Sequence, residues 1–148
     1  MPKKKAARGA LPVSKVEIDF VVLADFAQAA QGKLNLIGGG WNIHNAKQYP
    51  SNLQFGVGIG ILVPWSLTNR KFKFKFVIMT DGNQLADGGG DFEVGRQPGM
   101  PAGMVQRVVV GFSGQIQLPK PGTYELIVST SEDEKRITFE ALPVPSGG

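Results

Sequence analysis

The stretch Arg70-Lys71-Phe72-Lys73-Phe74-Lys75-Phe76-Val77-Ile78-Met79-Thr80 decides the fold. Charged and aromatic residues alternate along it, a pattern that a helix scatters around its circumference and a strand sorts onto two faces. Phe72, Phe74, Phe76 and Ile78 belong to a buried face, and Lys71, Lys73 and Lys75 form a cationic row opposite them. The row identifies a strand and offers a contact surface.

Working outward, Asp81-Gly82-Asn83 is a hairpin signal, because these residues tolerate the positive φ of a tight turn. A return strand follows, then Gly88-Gly89-Gly90, residues 91–96 and an exposed loop at 98–103. On the other side, Pro64 closes a strand whose one face is Phe55, Val57, Ile59, Ile61 and Val63. Its other face is Gly56, Gly58 and Gly60, which is bare backbone. Such a face receives large side chains, with Trp41 and Trp65 at hand, or lies flat against another subunit. The first is favoured, since glycine left in solvent buries nothing and costs conformational entropy. Residues 65–69 connect this strand to the Lys/Phe strand with room for one helical turn.

Further out, Val16, Ile18, Phe20 and Val22 alternate against Glu17 and Asp19, and Gln31-Gly32-Lys33 turns the chain into Leu34. The triplet Gly38-Gly39-Gly40, between residues 34–37 and 41–43, suggests a bulge or a close backbone approach. Residues 105–118 read as one long strand broken near 111–114, or as two short ones. Residues 123–130 and 136–142 pair around a charged tip at 131–135. Tyr124, just after Pro121-Gly122, is placed to pin a loop through its hydroxyl. Eight or nine strands with close turn signals predict an all-β, antiparallel β-sandwich, immunoglobulin-like or similar, with a small β-barrel as the alternative.

With 148 residues the chain has the size of one domain, large enough to bury roughly 70% of its unfolded surface. The divisions expected are a basic N-terminal tail at 1–14, the sandwich at 15–142 and an irregular tail at 143–148. The formal charge is +4, and Lys3, Lys4, Lys5 and Arg8 carry all of the excess, so the remainder is formally neutral. Cysteine is absent, which removes disulfides, thiolate metal sites and cysteine nucleophiles. No apolar run approaches the ~20 residues of a membrane helix, and the tail lacks the apolar segment of a signal peptide. A soluble protein is expected, cytoplasmic or virion-borne.

The stretches Ala24-Asp25-Phe26-Ala27-Gln28, Gly32-Lys33-Leu34, Gly38-Gly39-Gly40-Trp41, Gly90-Asp91-Phe92-Glu93-Val94-Gly95-Arg96 and Leu118-Pro119-Lys120-Pro121-Gly122-Thr123-Tyr124 together resemble an uncharacterised bacterial family of small domains. The resemblance spans about residues 16–142. It implies one compact domain and carries no activity or site residue with it.

No reaction centre stands out. The single histidine, His44, lacks a Gly-x-Ser-x-Gly elbow elsewhere in the chain and reads as a surface residue. A hydrolase would require a hydroxyl and a carboxylate within reach of its ring. Asp81, Asp87, Asp91 and Glu93, with Asn83, are the best acidic cluster for a metal, but their spacing does not fit a calcium loop. The glycine triplets match neither phosphate-loop pattern. Trp41, Tyr49 and Trp65 are the stacking candidates for a small-ligand or carbohydrate-binding domain. No cofactor is indicated.

Lys71, Lys73 and Lys75 could follow phosphates at a spacing of about 7 Å, but single-strand binders place aromatics beside the charges. Here the phenylalanines point away. A guard against edge-to-edge pairing or a plain solvated face ranks first for the lysines, a protein contact second and nucleic acid last. The function expected is a non-catalytic interaction or structural module, with other protein subunits or further copies of the chain as partners. Candidate partner-binding residues are Lys3, Lys4, Lys5, Arg8, Lys71, Lys73 and Lys75 with Gly56, Gly58 and Gly60. Nucleic acid enters only through the basic tail, and no membrane is involved.

Overall fold

In the computed structural model, which describes residues 14–145, the Lys/Phe stretch is a strand and its faces sort as the pleat requires. Phe72, Phe74 and Phe76 are half-buried, while Lys71, Lys73 and Lys75 stand in solvent. The chain order is β1 (Glu17–Ala24), β2 (Phe26–Ala30), β3 (Lys33–Ile37), β4 (Ile43–Ala46), β5 (Ser51–Val63), a 3-10 turn (Trp65–Leu67), β6 (Lys71–Thr80), β7 (Asn83–Glu93), β8 (Gln106–Leu118), β9 (Gly122–Thr130) and β10 (Glu134–Pro143). Asp81 and Gly82 take φ of 50° and 77° in the β6–β7 turn, as the hairpin signal predicts.

Two sheets face each other, β1-β5-β8 and β4-β10-β9-β6-β7, and β2-β3 forms a separate hairpin. Pairing is antiparallel except between β4 and β10. The sheets do not close into a barrel, so the architecture is a β-sandwich. Val57, Ile59, Ile61 and Val63 of β5 are fully buried, as are Ile78, Tyr124, Leu126 and Val128 of the facing sheet. Each buried aliphatic side chain of this size contributes about 1.5–3 kcal/mol relative to exposure.

The tyrosine expected to pin a loop does so. Tyr124 is fully buried and its hydroxyl donates to the Lys120 carbonyl at 2.6 Å. Its ring stacks on Phe139 with centroids 5.3 Å apart.

The glycine face of β5 receives large side chains, as the favoured reading expects, but at Gly58 and Gly60 these are Leu34 and Phe20 rather than a tryptophan, and at Gly56 the neighbour is backbone. The β2–β3 hairpin lies across it. A Cβ at Gly56 would collide with the backbone of Phe26 and Ala27, and one at Gly111 would come within 2.9 Å of the Gln28 backbone. At Gly58 it would meet Leu34 Cδ2 at 2.7 Å, and at Gly60 the ring of Phe20. Ser113 on β8 fixes the hairpin, accepting from the Ala27 N–H at 3.0 Å and donating to the Ala27 carbonyl at 2.9 Å. Only glycine lets one backbone approach another this closely. Gly88 and Gly90 of β7 are sockets of the same kind, overlain by the rings of Phe76 and Phe74.

Other boundaries differ from the sequence reading in instructive ways. Both β7 and β8 run unbroken through their glycines, because sheet pairing on β6 and β5 overrides the local preference for a break. The 38–40 triplet is a loop with Gly38 and Gly40 at φ of 62° and 93°, and pairing starts only at Ile43. β10 continues to Pro143, one residue past the expected domain end.

The four outer strands are treated differently. The N–H groups of Val16 and Ile18, where β1 begins, donate to Glu132 Oε1 and Asp133 Oδ2 of the β9–β10 turn, both at 2.7 Å. At the other end of β1, the Leu23 carbonyl accepts from Gly40 N–H at 2.7 Å. β4 is only four residues long. β7 and β8, by contrast, pair on one side alone among the described residues, over 11 and 13 residues. They share one flank of the sandwich, since Phe112 of β8 stacks on Phe76 and Phe74 of β6, the neighbour of β7, at 4.4 and 6.5 Å.

Candidate functional site

The lysine row sits on an interior strand. β6 lies between β9 and β7, so Lys75 does not guard an edge and the guard reading is corrected there by the strand order. The solvated-face reading holds for all three lysines; Lys71 and Lys73 precede the first pair with β9, at Phe74. Lys71 stands opposite Glu93 and Lys73 opposite Asp91, so an acidic row on β7 runs beside the cationic row on the same solvent face. Opposite charges placed directly across a strand pair each add a few tenths to about 1 kcal/mol. Lys75 is different: its neighbours are Gly89 on one side and Ser129 on the other, neither charged.

The same register accounts for the acidic candidates. Asp87, Asp91 and Glu93 lie along the outer face of β7, and Asp81 in the turn is bound by the Lys120 ammonium. The hydrogen bond and charge of Asp81 hold the Lys120 ammonium above the ordinary lysine range. Among the described residues no three His, Cys, Asp or Glu side chains gather where they could hold a metal ion.

Lys73, Phe74, Lys75, Gly90, Asp91, Ser129, Thr130 and Ser131 line a groove of about 440 Å³. A second groove, of about 760 Å³, lies beside the 97–107 segment, with Leu62, Met100, Met104 and Arg107 among its walls. Arg107 is held there by Asp19 at 2.7 Å. Sequence reasoning missed both grooves. The signal for the second was the pair of methionines among prolines and glycines in a segment read only as an exposed loop.

Residues 19–141 match a family of unknown function, DUF6941. The chain belongs to that family. The matched span begins in β1 and ends in β10, so it takes in both sheets and the hairpin, and the resemblance drawn from the sequence motifs is borne out. No protein of curated function matches the chain.

The remaining candidates are scattered. Trp41 packs edge-on against Phe139 at 5.7 Å, and Trp65 is covered by the Arg96 guanidinium at 3.9 Å from its ring centre. Arg96 is fixed in turn by the Thr68 hydroxyl at 2.8 Å and the Trp65 carbonyl at 3.1 Å. Tyr49 donates to the Leu142 carbonyl at 2.8 Å. Trp41 and Tyr49 pack against the core, whereas Trp65 is half-buried on the 3-10 turn beneath Arg96. Gly56 and Gly58 are buried beneath the chain's own hairpin and Gly60 beneath the Phe20 ring of β1, so they present no face to a partner. Lys3, Lys4, Lys5 and Arg8 lie outside the described residues.

His44 is not the isolated surface residue expected. It is half-buried, with Nε2 3.1 Å from Ser51 Oγ, and it shares a cavity of about 110 Å³ with Asp25, Trp41, Ile43 and Leu53. The hydroxyl that hydrolysis needs is in place. Among the described hydrogen bonds none joins a carboxylate to the ring, so the contact ties β4 to the start of β5 and assembles no triad. Among the described residues no helix is long and apolar enough to cross a membrane.

Proposed function

We propose that the domain is a non-catalytic interaction module that associates with a second copy of itself through the β7/β8 flank, as a building unit of a larger assembly. The observation that carries this reading is the edge of β8. It is 13 residues long, its 108–118 stretch contains neither a charge nor a proline, and among the described residues no strand pairs with its outer side. Long, flat, uncharged edges are templates for strand addition, and proteins that must stay apart blunt them. This chain blunts β1 with two carboxylates and leaves β8 open.

The exposed apparatus fits the same use. Val108, Val110, Phe112 and Ile116 on the inner face of β8 are only half-buried, so a strand added there covers apolar surface as well as backbone. The hairpin turn at Gly32 and residues 93–98 share a cavity of about 510 Å³ with the start of β8, which crowds that end. Pairing is therefore assigned to residues 110–118.

The test is mass in solution by light scattering across a concentration series. Dimers are expected, and Gln115→Lys with Gln117→Lys, both exposed on the outer face, should return the protein to a monomer with unchanged melting. A wild-type monomer at all concentrations overturns the reading.

A further inference from the structure

We propose that the shoulder where β9 turns away from β6 is a binding site for a phosphate group carried by a small organic ester. This site shares Gly90 and Asp91 with β7 but does not depend on self-association through the β7/β8 flank. β9 leaves β6 at the Phe74–Thr130 pair, whereas β6 begins at Lys71, so its first three residues have no strand on that side. The 440 Å³ groove forms in this step. β6 is its floor, Ser129, Thr130 and Ser131 one wall, and Gly90 and Asp91 the other. Its size lies within the roughly 300–1,000 Å³ of ordinary ligand pockets.

The polar groups of the groove are nearly all donors. Lys73 and Lys75 offer ammonium groups, and Ser129 and Ser131 offer hydroxyls. Thr130 stands opposite Phe74, and its hydroxyl accepts the N–H groups of Glu132 and Asp133 at 3.2 and 3.1 Å, which fixes the turn that carries Ser131. Asp91 is the one carboxylate, and it stands across from Lys73. Neither lysine joins an ion pair among the described residues, and Lys75 has only Gly89 and Ser129 beside it. One positive charge is therefore uncompensated within a ring of donors. An anion rich in acceptors answers that arrangement.

Lysine binds as a rotating point charge, and donors here converge from a strand, its neighbour and a turn. That suits the several oxygens of a tetrahedral phosphate better than a planar carboxylate, which arginine forks match. The lysine stems add apolar wall, the Phe74 ring lying on the opposite face against Phe112, and that wall selects an ester over free phosphate. Gly89 gains a purpose too: any side chain there would stand against Lys75.

The experiment is an NMR titration of the labelled full chain at low ionic strength, with phenyl phosphate, inorganic phosphate and benzoate in separate arms. Saturable shifts confined to residues 73–75, 89–91 and 129–131 are expected with phenyl phosphate, and weaker binding of the other two. Lys75→Gln should weaken binding about tenfold, the loss of one charged hydrogen bond, while Lys47→Gln leaves it unchanged. Shifts spread over all exposed lysines, or full binding by Lys75→Gln, would overturn the site. Benzoate binding as tightly as phenyl phosphate overturns the phosphate preference, and inorganic phosphate doing so overturns the ester.

Discussion

Single atoms decide more here than composition does. The Tyr124 hydroxyl is the one polar group of a fully buried side chain and holds the turn before β9 through Lys120. Tyr124→Phe should cost about 1–2 kcal/mol, seen as a lower denaturation midpoint with an unchanged slope. The glycines separate more sharply. Gly56→Ala places a methyl group in the backbone of Phe26 and Ala27, where no rotamer change can relieve it, and should cost about 1–3 kcal/mol. Gly114→Ala meets only the Phe55 ring at 3.6 Å, an ordinary contact, and should stay within about 0.5 kcal/mol of wild type. Hydrogen exchange gives the second readout: amides of β2 and β3 should lose protection in the Gly56 variant alone. The sequence showed that these glycines needed a neighbour but not which one, because a glycine records the absence of a side chain and leaves the identity of what fills the gap to tertiary structure. His44 was misjudged for the same reason, since its partner Ser51 is a neighbour in space through the β4–β5 connection.

Strands were legible where two kinds of residue alternate and ambiguous where one kind repeats. β6, β9 and β10 could be read closely, because charged and apolar residues sort by face. β7 and β8 were read as interrupted, since glycine runs give no face preference and only the partner strand carries them through. The position of β6 within its sheet was beyond sequence pattern altogether, and with it the meaning of the lysines. With Glu93 and Asp91 across from Lys71 and Lys73 and the phenylalanines on the far face, labelled single-stranded nucleic acid should show no salt-dependent binding to residues 14–145. The β9–β10 turn is an element with a task of its own. Asp133→Ala removes the acceptor of Ile18 N–H and should destabilise by about 1–2 kcal/mol, with faster amide exchange at the start of β1.

At the scale of the molecule, the architecture was legible in the residues and the occupation was not, as expected when the matching family has no assigned function. Layering follows from alternation and turn chemistry, whereas a working surface depends on which edges remain open after folding. The capping of β1 by Glu132 and Asp133 therefore has a bearing on what kind of assembly can form. A filament needs two sticky flanks on opposite sides of each subunit, so that every addition exposes a fresh one. This sandwich has its long unpaired strands on one side and a stoppered strand on the other. If a second copy docks there by a twofold, as proposed, the pair uses the open flank of each, and the closed dimer rather than a filament is the unit from which a larger assembly is built.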